Sequence, residues 1–124
     1  MPLPKLSKLE LRIMDALWTK GPCSVREIQE SLPEKSRPAY TTVQTIVCRM
    51  EEKGSVRRTR KIGNAHVFEA VFTRKKVYRK LVGDLLDLFG GSPEPVMSHL
   101  IESGKLTLAD IRTIEKNLRE REAR

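Results

Sequence analysis

"PAYTTVQTIVCRMEEKG", residues Pro38 to Gly54, carries two patterns on one helix. Val43, Ile46, Val47 and Met50 repeat at i, i+3, i+4 and i+7, the spacing of a buried stripe, and Gly54 stands where a helix can end in left-handed backbone. The other side offers Thr41, Thr42, Gln44 and Thr45, then Arg49. Thr42, Thr45 and Arg49 fall at i, i+3 and i+7 and so form one outward row. Threonine can bond a phosphate or a base edge and brings a methyl for thymine; glutamine suits adenine, and arginine suits guanine or phosphate. A polar helix face is also what any solvated helix shows, so the surrounding elements have to separate the two readings.

Working outward, Ser7 with Glu10 and Ser24 with Glu27 have the spacing of capping boxes, which predicts helices starting near Lys8 and Val25. The first buries Leu9, Ile13, Ala16 and Leu17, with Met14 and Trp18 beside them, and stops at "KGPC". The second, short, carries Val25, Ile28 and Leu32 and ends before Pro33. A polar link, "PEKSRP", leads into the helix quoted above. Beyond Gly54 the period changes: "SVRRTRKI", "GNA" and "HVFEAVF" predict a two-stranded hairpin turning at Gly63 and Asn64. From Thr73, taken as its cap, a longer helix runs to Phe89, "GGSPEP" breaks it, and two further helical stretches follow, "PVMSHLIESG" and the segment capped by Thr107.

The fold class this predicts is mainly α with a small β-hairpin: a winged helix-turn-helix domain over residues 1–72 and a helical dimerisation region over residues 73–124. In that order of elements the third helix enters the major groove and the hairpin lies along the backbone. Arg57, Arg58, Arg60 and Lys61 then give the wing phosphate-binding charge. The same charges also protect an edge strand from aggregation, so only some of them are expected to reach DNA. Arg60, Lys61 and Asn64, toward the hairpin turn, are taken as contacts.

Composition agrees. The 124 residues bound one modest domain plus an appendage, and 24 Lys and Arg against 16 Asp and Glu leave a net charge of +8, a preference for polyanions. The start lacks a secretory signal and no apolar run is long enough to cross a bilayer, so the expected compartment is the cytoplasm, without membrane association. Cys23 and Cys48 make no disulfide framework there. With His66 and His99 they show no metal-ligand spacing, so neither metal nor cofactor is assigned. In the tail, the long helix has two adjacent apolar stripes, wider than one small domain can cover. Val77, Leu81, Leu85, Leu88, Phe89, Val96, Leu100, Leu108, Ile111, Ile114 and Leu118 are therefore assigned to a homodimer interface, which would present two reading helices to two half-sites.

"LSKLELRIMDALW", "VREIQESL", "AYTTVQTIVCRMEEKG", "HVFEAVF" and the later "FGG" resemble the penicillinase-repressor (BlaI/MecI/CopY) family of bacterial transcriptional regulators over nearly the whole chain. The resemblance implies a repressor that binds a palindromic operator as a homodimer joined by its C-terminal helices. It also implies DNA contact at Thr42, Thr45 and Arg49, and at Lys53, Lys61 and His66. Two departures bear on induction. Where penicillinase-type members are cleaved at an Asn-Phe pair this chain has His99-Leu100, and the tail cysteines of copper-responsive members are absent. The partner that would relieve repression, an inducer or a protease, is thus left open.

Rival classes fare worse. An enzyme would need a nucleophile with its base, a carboxylate pair or a phosphate loop, and the two histidines lie far apart in sequence. A winged helix that binds protein or RNA without operator specificity is the alternative function. RNA readers place aromatic residues for base stacking, whereas aromatics here total 5% and Trp18, Phe68 and Phe72 fall at core positions.

Overall fold

The computed structural model describes residues 3–123. They run α1 (Lys8–Lys20), β1 (Cys23–Ser24), α2 (Val25–Ser31), a single 3-10 turn (Glu34–Ser36), α3 (Tyr40–Lys53), β2 (Val56–Ile62), β3 (Ala65–Ala70), α4 (Arg74–Leu88), α5 (Glu94–Glu102) and α6 (Leu108–Glu122). Two compact units divide them, one extending through Lys80 and the other beginning at Leu81.

The first unit is a winged helix. Both capping boxes form: Ser7 Oγ accepts from the Glu10 N–H at 3.2 Å while Glu10 Oε1 accepts from the Ser7 N–H at 2.9 Å, and Ser24 and Glu27 repeat the exchange. Hydrogen bonds from Ser24 hold the Glu27 carboxyl below its ordinary range. A carboxyl lowered by folding stabilises the fold above its unfolded pKa, and that contribution is lost as pH falls through the folded value. Ser24→Ala is therefore expected to cost about 1 kcal/mol near neutrality. The gap from wild type in thermal unfolding should narrow on acidification.

Ile13, Met14, Ile28, Val43, Val47 and Met50 are fully buried and join Leu17, Val25, Leu32, Val56, Phe68 and Phe72 in one core. Ile46, expected in the stripe, is half-buried against it. Gly54, at φ 86° and ψ 13°, turns the chain out of α3, and the Ser55 N–H returns to Met50 O at 2.9 Å, so the wing starts at a fixed point.

The sheet has three strands in the order β1-β3-β2, all antiparallel. The hairpin was expected; β1 was not, because two residues leave no period to read, and Ser24 serves both as a strand residue and as the cap of α2. Pairing of Ile62 with Ala65 shortens the expected "GNA" connection to Gly63 and Asn64, with Gly63 at φ 60°. A bulge at Thr59 interrupts β2, so that Arg58 faces Phe68 and Arg60 faces Val67.

The start of α4 is held on α1. Trp18 Nε1–H donates to Phe72 O at 2.9 Å, Tyr78 meets the Trp18 ring edge-on, and Arg74 lies over that ring while bonding Asp15 and Thr19. Thr73 caps the helix through Oγ1, which accepts from the Lys76 N–H at 3.2 Å. Val77 is 2% exposed and lies in the first unit's core. Its helical spacing with Leu81 and Leu85 grouped it with the dimer face; burial assigns it to the core, because the first turns of α4 are clamped onto α1.

The second unit has a different character. Among described residues 81–123 none is buried, and only Leu86, Val96, Leu100, Leu106 and Ile111 are half-buried. Thr107 caps α6 in a box with Asp110, whose carboxyl is lowered by the Thr107 bonds. Helix formation is thus locally specified, but one copy of this unit closes no core of its own.

Candidate nucleic-acid interface

Burial of Val43, Val47 and Met50 turns the opposite side of α3 to solvent, and Thr41, Thr42, Gln44, Thr45, Arg49 and Lys53 are all exposed there. The first turn carries no acidic side chain to repel phosphate. The Thr45 hydroxyl donates to Thr41 O at 2.9 Å, which leaves its oxygen as an acceptor and its methyl as an apolar surface. No ion pair holds Arg49 among the described residues, so its guanidinium is open to an external partner. Lys53 differs: its ammonium lies 3.7 Å from Oε2 of Glu10, a carboxylate that is itself buried, and the pair ties it toward α1.

On the wing the bases divide in the same way. Arg57 pairs with Glu69, and Arg58 pairs with Glu51 of α3 at 2.9 Å while lying over the Phe68 ring. Both are neutralised within the fold. Arg60 is exposed and contributes, after the Ser24 bonds, to the lowering of Glu27. Lys61 and His66 sit opposite each other on the ladder, with exposed Asn64 in the turn beyond them. The structure thus gathers Lys61, Asn64 and His66 at one end of the hairpin, and it brings Thr41, Thr42, Gln44, Thr45 and Arg49 together on α3.

Cys23 is buried, donates its Sγ–H to Gly21 O, and has its thiol pKa pushed up mainly by burial, the opposite of an activated nucleophile. Cys48 is half-buried on α3. No group of three or more His, Cys, Asp or Glu among the described residues could hold a metal ion. No described helix is long and apolar enough to cross a membrane.

Two residues at this site were missed by sequence reasoning. Arg37 and Gln29 do not contact the outward row, but their side chains bond the backbone on either side of the α2–α3 connection. Nothing in the spacing of "PEKSRP" signals this, since long polar side chains reach across a turn whose course has to be known first.

Three helices, a wing stiffened by a third strand and an outward polar row on α3 define a DNA-binding winged-helix regulator of transcription. The penicillinase repressor family model matches residues 6–120, and the chain belongs to that family of transcriptional repressors rather than to any class of enzyme. Among curated relatives are the "Transcriptional regulator BlaI" proteins of Mycobacterium tuberculosis strains CDC 1551 / Oshkosh and ATCC 25618 / H37Rv. Each is 33% identical over 103 residues, spanning 81% of this chain and 74% of its own.

Proposed function

We propose that this repressor acts in the cytoplasm as a homodimer on a palindromic operator, with α3 of each copy in the major groove and each wing along the backbone. Residues 1–72 supply the DNA-binding domain, with the first turns of α4 packed onto it, and the remainder of residues 73–124 supplies the dimerisation region. The observation that carries the reading is the division of α3: its apolar stripe is consumed by the core, while Thr42, Thr45 and Arg49 stand exposed. Thr41 and Gln44 add contacts at the N-terminal end, and Arg60, Lys61, Asn64 and His66 act through the wing. Lys53 reaches phosphate by leaving its 3.7 Å pair with Glu10, whose carboxylate keeps the hydrogen bond from the Ser7 N–H.

In the tail, Leu81, Leu85, Leu88, Phe89, Val96, Leu100, Leu108, Ile111, Ile114 and Leu118 meet their counterparts in the second copy. Release of the operator then requires a signal, an inducer or a protease acting on a tail that has His99-Leu100 at the family's cleavage position.

The test is Arg49→Ala, measured by fluorescence anisotropy on a duplex recovered by random-site selection and on a scrambled one, over a salt series. A bidentate contact to a base edge predicts a loss of about 1–3 kcal/mol on the selected duplex alone. Equal losses on both duplexes would make Arg49 a phosphate contact. A wild-type protein that selects no sequence would favour the module without operator specificity.

A further inference from the structure

The seven-residue helix α2 ends without the usual devices: Leu32 follows it in extended backbone at φ -76° and ψ 149°, no glycine turns the chain, and its last turn has no basic residue. Three of its last four carbonyls, and that of Leu32 just beyond, nevertheless find donors. Ile28 O accepts from the Ser31 hydroxyl at 2.6 Å and Gln29 O from the Leu32 N–H at 3.1 Å. Glu30 O accepts from Arg37 Nη2 at 2.7 Å, and Leu32 O accepts from both Nη2 at 2.9 Å and Nε at 3.2 Å. Arg37, from beyond the 3-10 turn, thus closes α2 with a planar fork and places positive charge at the negative end of the helix.

Helix α3 is equally without a cap of its own, since Ala39 precedes it and makes no side-chain hydrogen bond. The residue before that alanine is held from α2 instead: Gln29 Nε2 donates to Pro38 O at 3.0 Å. One residue further on, the Tyr40 ring lies under the Arg26 guanidinium, 5.0 Å from centroid to Cζ. The connection is therefore fastened at both ends by side chains, immediately before Thr41 and Thr42.

We infer that Arg37 and Gln29 are positioning residues for operator recognition, fixing where α3 begins and hence which bases its outward row can reach. The inference rests on the operator reading above. Base-edge bonds lose most of their strength when angle or distance drifts, whereas phosphate attraction tolerates it. Loosening the latch should cost discrimination and leave nonspecific binding.

The experiment measures Arg37→Lys, Arg37→Ala and Gln29→Met on the duplex selected by the wild-type protein and on a scrambled duplex, over a salt series. Lysine keeps the charge but cannot make the fork. Both Arg37 variants are expected to bind the selected duplex about tenfold more weakly, as for a lost hydrogen bond from a charged group, with scrambled binding within about twofold of wild type. Gln29→Met, uncharged and similar in shape, is expected to move in the same direction, and it decides the matter if the Arg37 variants do not fold.

Wild-type affinity in Arg37→Lys and in Gln29→Met would overturn the inference. So would equal losses by Arg37→Ala on both duplexes with the salt slope reduced by about one, the mark of a phosphate contact. A wild-type protein with no sequence preference would instead overturn the operator reading and this inference with it, a failure visible before any substitution is made.

Discussion

Leu85→Glu is expected to convert the protein to a monomer and to lower operator affinity by about 10²- to 10⁴-fold, because the second reading helix is then no longer delivered intramolecularly to its half-site. Leu85 lines a groove of about 580 Å³ in the second unit with Phe89, Pro95, Val96 and Leu100. That unit also leaves Leu88 82% and Leu108 63% exposed in one copy, apolar surface that a second copy would remove from water. A glutamate at such a seam loses its hydration without gaining a partner, at a cost of several kcal/mol, which is enough to dissolve a modest interface.

The same change lies outside the first unit's core, so the near-ultraviolet signal of Trp18 should persist. Sedimentation and operator binding measured together check the prediction. A Leu85→Glu protein that remained dimeric with undiminished affinity would show that the tail's apolar faces serve something else.

Why some of this was legible in the sequence and some was not follows from the range of the forces involved. Capping boxes, the glycine that ends α3 and the Gly63-Asn64 turn are local: residues within four positions decide the backbone, and the structure has each of them where spacing predicts. The stripe on α3 was equally plain because burial imposes a helical period. Features set by distant partners left no such trace. Two-residue β1 exists because Cys23 and Ser24 meet Phe68 and Val67 far along the chain. The division of the wing arginines depends on which carboxylate lies near each, and Glu51 reaches Arg58 while Glu69 reaches Arg57. Arg37 was invisible for the same reason.

Val77 shows the limit most clearly, and it supplies a second test on the same helix. It shares the spacing of Leu81 and Leu85, yet it is 2% exposed where they are 37% and 42%. Periodicity reports that a face is apolar and says nothing about what covers it. Here the clamp of Arg74 on Asp15 and Thr19, with Tyr78 against Trp18, presses the first turns of α4 onto α1, and Val77 falls inside.

Val77→Asp is therefore expected to act on folding rather than on association. Placing an unpaired carboxylate in that core should cost about 3–5 kcal/mol. For a unit of this size that lowers the thermal midpoint by about 12–40 °C. Trp18, the single tryptophan, lies beside the site and reports the transition by fluorescence. Leu85→Glu should leave that transition within a few degrees of the wild-type value. A Val77→Asp protein that unfolded at the wild-type temperature but sedimented as a monomer would return Val77 to the dimer seam, and would mean that the winged helix closes its core without α4.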